Sequence, residues 1–110
     1  MSTVRDTKKI DLVTLDKANS MVKLIMIEDR EWGSDGGMYE QLQDKLSNYI
    51  FYIQEGQLKD DYPEYASASP AIQIDYVYPL DEYSASLINR MREILEDKNI
   101  SFFDNYLHDG

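Results

Sequence analysis

Counted from Asp29, three acids of this chain fall on ligand positions of a calcium-binding loop: Asp29 at position 1, Glu31 at 3 and Glu40 at 12. The rest of that loop argues against calcium. Position 5 is Gly33, which brings no side-chain ligand, and position 6 is Ser34, where the sharp turn wants glycine. An acid-rich segment supplies such a match by chance, and no metal is expected. Nucleophilic catalysis is no better equipped. There is no cysteine, and the single histidine, His108, sits in a terminal tail where chains fray. No Gly-x-Ser-x-Gly elbow and no phosphate-cradling loop with its lysine occurs. The glycine-rich stretch at 33–37 lacks a lysine and lies among acids, so an anion is repelled there. Carboxylates for glycoside hydrolysis are plentiful by type, but such a pair needs a cleft that holds a sugar. Asp44, Glu93, Glu96 and Asp97 read as solvated acids. No catalytic residue and no cofactor is assigned.

What the chain does carry is negative charge. Its 110 residues hold 21 Asp and Glu against 11 Lys and Arg, a formal net charge of −10. The imbalance is concentrated in residues 28–64, where ten acids face three bases. A field of that sign attracts basic partners and repels nucleic acid and anionic membranes. Within it, Lys59-Asp60-Asp61-Tyr62-Pro63-Glu64-Tyr65 packs acids and tyrosines into a proline-stiffened loop. Tyrosine offers large contact area at low entropic cost, and acids steer a basic partner. The candidate binding residues are therefore Asp60, Asp61, Tyr62, Glu64 and Tyr65, joined by Asp29, Glu31 and Asp35. The plainer account of the same loop has its tyrosines lying back on the core. Trp32 has two readings as well, a lid over the sheet edge or an exposed anchor; the lid is favoured, since large aromatics are mostly buried.

Local patterning supplies the elements that hold these residues. Ile10 to Leu15 and Met21 to Ile27 are apolar runs around an Asp/Asn/Ser turn, the signature of a β-hairpin. From Met38 to Glu55 the apolar residues Leu42, Leu46, Tyr49, Ile50 and Ile53 form a helical stripe. Ser34 or Asp35 is a candidate N-cap for it, and Gly56 a left-handed stop. Residues 57–70 read as a loop. Ile72, Ile74, Tyr76 and Tyr78 alternate with more polar neighbours as in a strand with one buried face, closed by Pro79. A second helix runs from an Asp81 N-cap along Leu87, Ile88, Met91, Ile94 and Leu95 to Asn99. Ile100 to Phe103 is a last short strand. The order is ββαβαβ in a single domain spanning 1–110, with a flexible lead at 1–8 and a frayed tail at 106–110. Right-handed crossovers then give an α/β (α+β) two-layer sandwich, a four-stranded mixed sheet with two helices on one face.

Residues Ile10 to Gly56, with the Tyr78-Pro79 pair, resemble a family of small bacterial proteins of unknown function and about this length. The likeness lies in the Ile10-Asp11-Leu12-Val13 strand, the turn at Asp16, Trp32 after an acidic stretch, and the helix closing on Ile53-Gln54-Glu55-Gly56. The loop Gly33 to Gly37 is richer in glycine than the family pattern. The resemblance implies the fold and brings no activity with it.

The expected function is a protein-binding inhibitor, an immunity protein neutralising a basic, nuclease-like toxin domain. The expected compartment is the cytoplasm, because there is no cysteine, no apolar leader and no run long enough to span a bilayer. Two alternatives remain open: a homodimeric accessory domain, and a small ligand-binding or enzymatic domain using surface carboxylates.

Overall fold

The computed structural model describes residues 12–34 and 36–107. The lead at 1–8, the strand start at Ile10, Asp35 and His108 lie outside the described residues. The element order is β1 (Leu12–Asp16), β2 (Met21–Glu28), α1 (Met38–Gln54), α2 (Gln57–Asp61), a one-turn 3-10 helix (Pro63–Tyr65), β3 (Ser69–Tyr76), α3 (Glu82–Asp97) and β4 (Ser101–Tyr106). The strands form one mixed sheet in the order β1-β2-β3-β4. β1 is antiparallel to β2, while β2, β3 and β4 run parallel.

The hairpin closes because Asp16 accepts from the Asn19 backbone and side-chain amides, at 3.3 and 2.8 Å, while Ser20 takes a left-handed φ of 50°. Those bonds hold the Asp16 carboxyl below its usual range. From β2 onward the chain moves one strand at a time in a single direction. Crossovers of one hand therefore put α1 and α3 on the same face. A single core results. Val22, Leu24 and Met26 of β2 and Ile72, Ile74 and Tyr76 of β3 meet Leu42, Leu46 and Tyr49 of α1 and Leu87, Met91 and Leu95 of α3.

The ββαβαβ order and the two-layer class follow the sequence pattern, and several local expectations need correction. Ser34 does not cap α1. Gly37 occupies the N-cap and makes no side-chain cap bond. The expected loop at 57–70 contains α2 and the 3-10 turn, and β3 starts before its end. β3 stops at Tyr76, so Tyr78 leaves the strand face and is exposed. β4 extends to Tyr106, and the Leu107 amide donates to the Tyr76 carbonyl at 2.7 Å, so residues 106–107 belong to the sheet end rather than a frayed tail. Ile94 is 40 % exposed instead of buried.

The punctuation residues do what their types suggest. Gly56 has φ 82° and Asn99 φ 59°. Asp81 caps α3, its carboxylate accepting the Ser84 amide at 2.7 Å, and this bond lowers the carboxyl's pKa. The stability it contributes is full above the ordinary carboxylate range and lost as pH falls through the lowered value. Asp81→Ala is thus expected to melt below the parent at pH 7, with the gap closing in strong acid. Melting curves at both pH values check this; a gap that persists in acid points to another cause.

Candidate protein-binding surface

The acidic turn is built by three local devices. Left-handed Gly56 ends α1 and starts α2 at once, and buried Leu58 pins α2 to the core. Pro63 then opens the 3-10 turn. The Tyr62 and Tyr65 rings stack at 5.6 Å and 5°, half-buried against the core. The tyrosines thus follow the plainer account and brace the turn. Asp60, Asp61 and Glu64 are exposed on it.

Asp61 is further fixed by the Tyr52 hydroxyl, which donates to it at 2.7 Å from α1. Burial, and then that bond, push the Tyr52 phenol well above its ordinary value. The bond contributes below pH 10 and is lost as the unfolded state ionises first. In an alkaline absorbance titration Tyr52 is expected among the last tyrosines to ionise. Tyr52→Phe should remove that late step and free the Asp61 side chain. A phenol lost from the ordinary tyrosine range, with the late step kept, refutes the bond.

Asp29 and Glu31 do not join this turn. They follow the end of β2, whereas the 3-10 turn precedes β3, whose Ser69 pairs with Met21 at the start of β2. The length of β2 separates the two groups by roughly 23 Å. Asp29 and Glu31 are exposed beside a buried ion pair. Glu28 has no exposed surface and takes Arg30 in a bidentate grip, Nη2 to Oε1 at 2.8 Å and Nε to Oε2 at 3.0 Å. Arg30 also donates to the Gln41 side chain at 2.8 Å. Trp32 is the lid: 8 % exposed, it donates its indole N–H to the Tyr78 carbonyl at 2.9 Å and meets Tyr76 edge-on. Tyr76 stacks in turn on Tyr106. Open α/β sheets bind small ligands outside the carboxyl ends of their strands. Here that end is filled by aromatic rings and an ion pair. Among the described residues no three His, Asp or Glu side chains gather to hold a metal ion.

Burial sharpens the charge imbalance of residues 28–64. Glu28, Arg30 and Lys45 are buried. Among the described residues of this segment eight acids are exposed, at 29, 31, 40, 44, 55, 60, 61 and 64, against one exposed base, Lys59.

A second surface feature was not expected from the sequence. Between α1 and α3 runs a cleft of 240 Å³. Gln43, Leu46, Ser47 and Ile50 line one wall, and Leu87, Arg90, Met91 and Ile94 the other. Each wall is an i, i+3, i+4, i+7 row, and every member of the second lies 44 positions after its counterpart. The Tyr39–Tyr83 edge contact, centroids 4.6 Å apart, keeps the same register at one end. The exposed Ile94 belongs to this cleft. Among the described residues no helix is long and apolar enough to cross a membrane.

Comparison with known families finds a match over residues 1–107 to a family of unknown function (DUF6572), to which the chain belongs. No curated protein and no solved structure matches.

Proposed function

We propose that this DUF6572 member is a non-enzymatic binding domain that neutralises a basic protein partner, as an immunity protein does a nuclease-like toxin domain. The observation that carries the reading is the acid-dominated surface of residues 28–64, with eight exposed acids to one base among the described residues. An acidic field of that kind raises the association rate of a basic partner and covers the surface with which it holds phosphates. Two further features support it. Asp60, Asp61 and Glu64 stand on a turn braced by a tyrosine stack and by Tyr52, so little ordering entropy opposes binding. The sheet end where a small ligand would sit is occupied by Trp32, Tyr76 and the Glu28–Arg30 pair.

The test is association kinetics with a basic, nuclease-like toxin domain, at low and high salt. Asp60→Ala/Asp61→Ala is expected to slow association several-fold at low salt and to flatten its salt dependence, with dissociation little changed. Unchanged association at both salts, with the fold intact, removes this turn as the steering surface.

A further inference from the structure

We propose that the cleft between α1 and α3 seats an amphipathic helix of the basic partner, its aliphatic stripe down and its basic residues over the cleft's acidic rim. This rests on the reading of the protein as a binder of a basic partner and adds where and in what form that partner docks.

Geometry selects a helix. The two walls run side by side in matched register over eight residues, about 10.5 Å or two helical turns. Helix-in-groove recognition uses anchors at the same i, i+3, i+4, i+7 spacing. The volume, 240 Å³, lies below the roughly 300–1,000 Å³ of small-molecule pockets and suits a few protruding side chains. Its lining supplies apolar contact from Leu46, Ile50, Leu87, Met91 and Ile94, and Ile94 exposes 40 % of its surface although it lies on the helix row that the core uses.

Charge selects a basic helix. Continuing the rows, Glu40 lies one step before Gln43 on α1 and Asp97 one step after Ile94 on α3, while Asp44 and Glu93 flank the walls. All four are exposed. Arg90 is the one base in the lining, placed to meet a carboxylate or the terminal carbonyls of the docked helix. A second copy of this chain is the wrong occupant, since each copy carries −10 and two like-charged copies repel.

The test uses two lysine-rich, helix-forming peptides of identical composition. One carries leucines at i, i+3, i+4 and i+7; the other scatters them around the helix. Each is titrated into the isotope-labelled full chain at low and high salt, with amide shifts recorded. The striped peptide is expected to bind at least about tenfold more tightly, the level of a lost anchor. Its shifts should concentrate in 43–50 and 87–94. Ile94→Glu should abolish the preference without lowering the melting temperature, the site being exposed.

Equal, salt-sensitive affinities for both peptides overturn the cleft and leave the basic-partner reading standing. No binding of either peptide at low salt overturns both. A concentration-dependent dimer in sedimentation, dissociated by Ile94→Glu, makes the cleft a self-interface and overturns the proposal.

Discussion

Arg30→Met is expected to destabilise the protein by about 3–5 kcal/mol, the usual cost of stripping the partner from a buried charge. Glu28 has no exposed surface, and Arg30 gives it two guanidinium bonds and a backbone amide bond at 3.1 Å. Methionine keeps much of the arginine stem's volume but leaves the carboxylate facing a dry wall. Adding Glu28→Leu should recover most of the loss, because an apolar pair of similar size avoids the desolvation that the ion pair has to overcome. Urea denaturation of the single and double variants at constant slope measures both quantities. A single-variant loss below about 1 kcal/mol would mean a hydrated surface pair, of the kind worth that little.

The second large effect lies in the core. Leu42 is fully buried where α1 meets the sheet. Leu42→Ala should cost about 2–5 kcal/mol, transfer energy and residual cavity together. Ile94→Ala, in the cleft wall on α3, should stay within about 0.5 kcal/mol, as at ordinary surface sites. The contrast is the informative part. Equal losses at the two positions would mean that the cleft between the helices is closed in solution.

Local grammar was legible in the sequence. Asp81, Gly56 and Asn99 each act through their own backbone and nearest neighbours, so residue type was enough to place the C-terminal end of α1 and both ends of α3, but not the cap at the start of α1. The alternation of β3 was equally clear, because one face of that strand meets the helices, while β2 showed as an apolar run. Ile94 was misplaced for a physical reason. Periodicity gives the direction of a side chain around a helix, but not the gap to the next helix, and Ile94 points into that gap. The five-residue α2 is too short to show a period of its own, and Gly56 read as a stop although it also begins the next turn.

The buried charges had signals that their polarity masked. Glu28 keeps the even-numbered parity of Val22, Leu24 and Met26. Lys45 occupies the i+3 place between Leu42, Leu46 and Tyr49, with its ammonium 5.8 Å from the Tyr49 ring centre. The separation of Asp29 and Glu31 from Asp60 and Asp61 also follows from connectivity. A helix that returns from the end of one parallel strand to the start of the next must carry its two flanking loops to opposite ends of the sheet.

One side chain on the sheet face turned away from the helices has a further bearing. Lys23 of β2 bonds Asp16 of β1 at 3.8 Å and also places its ammonium 4.7 Å from the ring centre of Phe103 on β4. It reaches across β3 at Ala71, whose methyl leaves the path low enough for a lysine stem to pass. Stacking of two sheets brings their faces to about 10 Å and excludes water between them. With Lys23 laid across the middle of the face, such stacking has to bury an ammonium together with the apolar surface. One lysine, lying flat because its neighbour is alanine, thus raises the desolvation cost of stacking another sheet on this face.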